Sequence, residues 1–166
     1  MRSRNLTRAA LIAALYAVLC YLQNLLLPGS ASWAIQFRAA EALCILAFFT
    51  PSAIPGLAIG CLIFNVALST SLPLDPIVGP IASALAAAAM WLLRKVTIKG
   101  YPFLGMLMPA VANAILVGWE LDLYFGGGFW LNALYVAIGE VAVLLTLGSA
   151  LYYMLRSPRL NRQLFQ

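Results

Sequence analysis

Trp33-Ala34-Ile35-Gln36-Phe37-Arg38-Ala39-Ala40-Glu41-Ala42-Leu43-Cys44-Ile45-Leu46-Ala47-Phe48-Phe49, closed by Thr50-Pro51, is the stretch that decides the fold. It is apolar enough for a bilayer, yet Arg38 and Glu41 interrupt its start, and its uncharged core from Ala42 to Phe49 is short. On length alone it reads as a re-entrant helix. As a crossing, it brings the total to six and fixes the side of every later loop.

Five further apolar segments surround it. They run from about Leu6 to Leu27, Ile54 to Ser69, Pro76 to Leu93, Phe103 to Trp119 and Trp130 to Leu155. The chain has 166 residues, 64% hydrophobic and 9% charged, against roughly a quarter charged in a soluble domain. Too little polar sequence remains to cover a soluble surface. At about 20 residues per span, six spans nearly exhaust the length. The expected architecture is one all-α integral membrane domain over residues 1–166, a bundle of six transmembrane helices.

Charge placement favours six. Arg2, Arg4 and Arg8 precede the first span, Arg94, Lys95 and Lys99 lie between the fourth and fifth, and Arg156, Arg159 and Arg162 follow the sixth. These nine of the ten basic residues share one side only if the second segment crosses. That side is expected to be the cytoplasm, with both termini there. Trp33, Trp119 and Trp130 fall at outer ends and Trp91 near an inner end, as an interfacial belt requires. The first apolar run is too long for a signal peptide and reads as a retained span.

The composition also excludes chemistry. With no histidine, a Ser-His-Asp triad and a zinc-protease site are impossible. Cys20, Cys44 and Cys61 have no metal-ligand spacing. Lys95 and Lys99 belong to no phosphate-cradling loop. No metal, no cofactor and no nucleic-acid partner is expected; the net charge of +5 reflects the basic cytoplasmic loops.

Polar residues inside the spans carry the functional reading. A charge near the bilayer centre costs on the order of 3 kcal/mol, so each of the five acids is informative. Glu41 lies in the outer part of span two and Glu140 about 15 Å into span six. Glu120 and Asp122 end span five, and Asp75 starts span four. Asn65 and Asn113 lie in outer halves. This distribution implies an outward-facing pocket for a small polar molecule rich in N–H donors or positively charged, since a carboxylate accepts two parallel N–H bonds from an amidine-like edge. Trp33, Phe37, Trp119, Tyr124 and Trp130 are candidates to stack a flat ring, and the loop from Tyr124 to Phe129 has the freedom of a lid. Each has a plainer alternative. Arg38 and Glu41 can pair with each other. Asn65 and Asn113 can be interhelical glue. Asp75, Glu120 and Asp122 can be loop charges, and the aromatics can be interface anchors. Ala9, Ala13 and Ala17, with Ala10 and Ala14, make small-residue faces on span one, as Gly56 and Gly60 do on span three; they serve close packing, inside the chain or against another subunit.

The run Ile35-Gln36-Phe37-Arg38-Ala39-Ala40-Glu41-Ala42-Leu43, then Phe49-Thr50-Pro51 and Ile54-Pro55-Gly56-Leu57-Ala58-Ile59-Gly60-Cys61, resembles the QueT family. Asp75, Pro109, Asn113 and Val117-Gly118 continue the likeness, which covers nearly the whole chain. These are the queuosine-precursor substrate-binding (S) components of energy-coupling factor transporters. The resemblance implies an S-component-like bundle in a prokaryotic plasma membrane, with a pocket near the outer face. It implies docking through Ala9, Ala13, Ala10 and Ala14 onto a transmembrane coupling subunit joined to two ATPases, and toppling of the whole component during transport. The implied ligand is a 7-deazaguanine, queuine or a precursor. Glu41 or Glu140 takes its guanine-like edge and the other acid meets an amine. Gln36, Asn65 and Asn113 complete the contacts, with Arg38, Trp33, Phe37, Trp119 and Glu120 in the same pocket. The alternative ligand is another flat vitamin such as riboflavin, thiamine or folate. An intramembrane enzyme is disfavoured for want of a nucleophile–base pair. A non-transporting scaffold predicts that Glu41 and Glu140 matter for stability alone.

Overall fold

The computed structural model describes residues 2–28, 30, 35–67 and 72–165, the side chains of residues 2 and 163–165 excepted. Helices α1 (Arg2–Leu26), α2 (Ala53–Ala67), α3 (Asp75–Leu93), α4 (Phe103–Met106), α5 (Met108–Phe125), α6 (Phe129–Val143), α7 (Ser149–Arg156) and α8 (Pro158–Phe165) follow one another in the chain. A 3₁₀ helix (Ala39–Phe48) precedes α2, and one π turn (Leu144–Gly148) joins α6 to α7. Four helical stretches are long and apolar enough to cross a membrane: Ser3–Leu26, Asp75–Leu93, Phe103–Phe125 and Phe129–Arg156. The Ala39–Phe48 and Ala53–Ala67 helices are shorter. Helix α2 therefore starts where span three was expected, and the doubtful second segment is neither a full α-helix nor a loop.

Direction explains that segment. A Cβ on Gly56 would meet the Ala9 carbonyl oxygen at 2.8 Å, and one on Gly60 would meet that of Ala13 at 2.7 Å. Positions rise together on the two helices, so α1 and α2 run parallel. The chain between them must return along the bundle, and the 3₁₀ helix is that return. It packs against α1, α2, α3, α6, α7 and the π turn. A 3₁₀ helix rises about 2.0 Å per residue, so ten residues cover about 20 Å where an α-helix covers about 15 Å. The non-helical residues before it, with Arg38 extended at φ −105° and ψ 92°, add up to about 10 Å. Together they approach the roughly 30 Å hydrocarbon thickness. Burial follows the three-residue turn: Leu43, Leu46 and Phe49 are partly exposed and the residues between them are buried.

Helices α2 and α3 are antiparallel, as are α5 and α6, whereas the 3₁₀ segment runs parallel to α6 and α7. Asn65 on α2 donates to the Asp75 carbonyl at the start of α3, at 2.8 Å. Gly118 on α5 leaves no room for a side chain against the Ala133 backbone on α6. Gly105 sits under the Phe48 ring, Gly148 faces Ile45, and Tyr152 packs edge-on to Phe48. Arg156 donates to the Gly100 carbonyl at 3.0 Å. The start of α1, the 94–102 loop and the end of α7 therefore share one end of the bundle, where the sequence gathers nine basic residues. There Arg94 lies 3.7 Å over the Trp91 ring and donates to its carbonyl. The other end carries the α5–α6 turn. Its three glycines, Gly126, Gly127 and Gly128, all have φ between 70° and 97°, a region closed to most side chains.

The closeness of α1 and α2 gives a direct test. Gly60→Val should force the two backbones apart, because its Cβ has only backbone atoms and the base of Tyr16 to push against. Overpacking of this kind costs about 1–3 kcal/mol. The purified protein should unfold several degrees lower in detergent; an unchanged melting temperature would contradict the parallel pairing.

Candidate functional site

Two apolar clusters bracket the polar interior. Ile12, Ile45, Leu57, Met90, Met106 and Leu144 belong to the larger, toward the basic end. Val78, Val117 and Val136 form a smaller one toward the α5–α6 turn. Asn113 falls between Ala110 of the first cluster and Val117 of the second, and Glu140 between Val136 and Leu144. Glu140 lies in the layer between, Glu41 borders the larger cluster, and Glu120 lies beyond Val117 toward the α5–α6 turn.

Glu41 is 1% exposed and fully engaged. Winding of three residues per turn puts Cys44 directly beside it, and the Cys44 thiol donates to Oε2 at 3.1 Å. The Tyr16 hydroxyl of α1 donates to Oε1 in a short bond. Arg38 is not among its hydrogen-bond partners, so the expected pairing within this segment is replaced by donors from α1 and from the next turn. Gln23 of α1 fixes the segment's start. Its amide donates to Ser30 Oγ at 2.9 Å and to the Phe37 carbonyl, and its oxygen accepts from the Ala39 N–H at 2.8 Å. That last bond satisfies one of the free N–H groups every helix start leaves.

Glu140 is also 1% exposed but only half engaged. Asn113 donates to Oε1 at 2.9 Å, whereas Oε2 has no hydrogen-bond partner among the described residues. The neighbouring Gly139 is what lets the Gln36 backbone lie directly on α6; any side chain there would collide with the Gln36 carbonyl. Gln36 and Arg38 are thereby laid beside Glu140. Glu41 and Arg38 both act electrostatically on Glu140, and Arg38 also feels Asp75. The structure thus brings Glu41, Glu140, Asn113, Gln36 and Arg38 together from three elements and the segment ahead of the 3₁₀ helix.

Glu120 shares the interior face of α5 with Asn113, two turns or about 10 Å further toward the α5–α6 turn. It is 0% exposed, and neither carboxylate oxygen meets a hydrogen-bond partner among the described residues. Its carboxyl lies beside that of Asp75, whose Oδ2 accepts from the Leu72 N–H at 2.8 Å. Asn65 spends its amide on the Asp75 carbonyl, so its observed work is to join α2 to α3.

Other expected residues lie elsewhere. Trp119 sits with Val111, Ile115 and Leu123 on the exposed stripe of α5, opposite Glu120, and is not part of the interior. Phe37 is exposed and Trp130 is 82% exposed, which suits interface anchors. Trp33 lies outside the described residues. Ala9 and Ala13 are buried against this chain's own α2, while Ala10 and Ala14 are exposed. Asp122 accepts from the Gly128 N–H at 2.9 Å and braces the turn. A surface pocket of about 360 Å³, lined by Tyr21, Leu22, Asn24, Leu25 and Pro28, holds none of the acids. Among the described residues no group of three or more Cys, Asp or Glu is placed to hold a metal ion.

Sequence reasoning missed Tyr16, Cys44 and Gln23. Tyr16 lies three residues beyond Ala13 on the small-residue face, so its hydroxyl was bound to point inward. Cys44 was three residues from Glu41, a neighbour only under 3₁₀ winding.

An all-helical bundle with four long apolar helices among the described residues, burying three glutamates, has the make-up of a membrane protein. The family model described as QueT transporter matches residues 6–157, and the chain belongs to that family. No curated protein and no solved structure gave a match. The family implies transport, in a membrane, of a small molecule.

Tyr16→Phe should leave Glu41 one donor short. A buried acceptor left unsatisfied costs roughly 1–3 kcal/mol, more when charged. The variant should unfold at lower temperature, and Glu41→Gln in the same background should recover part of the loss. Additive effects of the two changes in a double-mutant cycle would show that the bond contributes nothing.

Proposed function

We propose that this chain is the substrate-binding membrane subunit of an energy-coupling factor importer and captures a 7-deazaguanine, a queuosine precursor or queuine. The observation that carries the reading is Glu140: buried, held by Asn113 at one oxygen, with the other open to the polar layer. Buried polar atoms are nearly always paired, and a carboxylate oxygen beside the Asn113 amide has the chemistry to accept an N–H donor from a guest. Glu41 has its donors from Tyr16 and Cys44, so the guanine-like edge falls to Glu140 and Asn113, with Gln36 and Arg38 at the rim.

Six crossings, with both termini cytoplasmic, complete the reading. The parallel course of α1 and α2 and the reach of the 3₁₀ segment support the count. Basic residues at one end support the orientation, which turns the α5–α6 end and the acids' open side outward. In this reading a coupling subunit and two ATPases drive uptake into a prokaryotic cell. The exposed Ala10 and Ala14 face of α1 is the surface proposed to meet the coupling subunit.

Mass spectrometry of small molecules released from the purified protein should find a deazaguanine. Calorimetry should then show Glu140→Gln weakening that ligand by roughly 10-fold or more, since a charge-assisted bond contributes on the order of 1.5–3 kcal/mol. Riboflavin, thiamine or folate binding tightly where no deazaguanine does would replace the ligand class. Unchanged affinity in Glu140→Gln would remove the site.

A further inference from the structure

Three buried carboxyls, Glu41, Glu120 and Glu140, share the polar region with the partly buried Asp75 and Arg38. Glu41 is satisfied by neutral donors, and Glu140 has Asn113. Arg38 acts on Asp75, Glu140 and Glu120 but can neutralise only one charge. Glu120 lacks a neutral or basic donor: the residue is buried, its oxygens meet no such group among the described residues, and the side chain within hydrogen-bonding reach is a second carboxyl, that of Asp75. An uncompensated anion in a low-dielectric interior is costly, and two acids side by side make it more so. Such a pair is relieved by a shared proton or by a cation that displaces it.

Position sets what that cation is attached to. Asn113 and Glu120 lie on one face of α5 two turns apart, about 10 Å along the axis. The deeper pair, Asn113 with Glu140, is suited to a donor edge; Glu120 with Asp75 sits nearer the α5–α6 turn. One flat guest can therefore present N–H donors to the first and a positively charged arm to the second. Val117, between them on the same face, and Val136 from α6 offer an apolar wall for the ring.

We infer that Glu120 and Asp75 form a separate cation subsite that receives an ammonium group on the substrate and selects amine-bearing substrates over neutral ones. The inference rests on the function proposed above and narrows it to aminomethyl-type side arms. A neutral arm of the same length, such as a nitrile, would leave the carboxyl pair unmatched.

The test is calorimetry on the purified full chain with 7-aminomethyl-7-deazaguanine and 7-cyano-7-deazaguanine. Wild type should bind the amine at least 10-fold more tightly than the nitrile. Glu120→Gln should abolish most of that preference by weakening the amine and sparing the nitrile, and Asp75→Asn should do so in part. Glu140→Gln should weaken both ligands alike. Equal wild-type affinities for the two compounds would overturn the cation subsite while leaving the deazaguanine reading intact. Equal losses for both ligands in Glu120→Gln would do the same. Failure of wild type to bind either compound would remove the functional reading, and the subsite with it. Should Glu120→Gln not fold, the wild-type ratio and Asp75→Asn decide the matter.

Discussion

Parallel packing of α1 against α2 is the constraint from which the architecture follows. Two helices that run the same way need a connection that recrosses their full length. Gly56 and Gly60 hold the pair so close that nothing else fits between them, and the returning chain packs alongside the pair and α3. There it wedges against α6, α7 and the π turn. With few residues and a long way to go, it winds as a 3₁₀ helix. That winding decides which of its side chains point together, and places Glu41 over Cys44 and under Tyr16.

Burial of acids in a bundle this apolar imposes a second condition. Each carboxylate oxygen must meet a donor, a proton or a guest. The three glutamates answer in three ways: Glu41 is fully bonded, Glu140 is half bonded and Glu120 is bare. The gradient runs from the centre of the bundle toward the α5–α6 turn. Structural duty is heaviest where the 3₁₀ helix needs anchoring, and the acids meet fewer donors with distance from it.

Much of this was legible in the residues. The apolar runs, the six segments and the gathering of Arg and Lys at one end could be read from spacing and charge. So could the value of Glu140, because a charge that deep needs a reason. What sequence concealed was winding and direction. The 3₁₀ period was visible in principle, since Leu43, Leu46 and Phe49 recur every three residues, but a ten-residue span does not distinguish three residues per turn from 3.6. The alanine stripe of α1 was equally ambiguous: Ala9 and Ala13 against Ala10 and Ala14 differ only in which face meets α2, and only coordinates choose. Trp119 and Glu120 are adjacent in sequence yet lie on opposite faces, so an aromatic next to an acid is no guide to a shared pocket.

The π turn at Leu144–Gly148 shows how one surplus residue is accommodated without a kink-forming proline. Thr146 and Ser149 bond carbonyls of their own helix at this turn, and Tyr101 reaches across to Ser149 at 2.5 Å. Each residue of an α-helix advances the rotation by about 100°. The extra residue therefore sets the phase of everything after it, and Tyr152 meets Phe48 only because of it. The chain carries a rotational offset between α6, which bears Glu140, and the basic tail. The two halves of one continuous rod are keyed separately, one to the acids and one to the aromatic floor beneath the 3₁₀ helix.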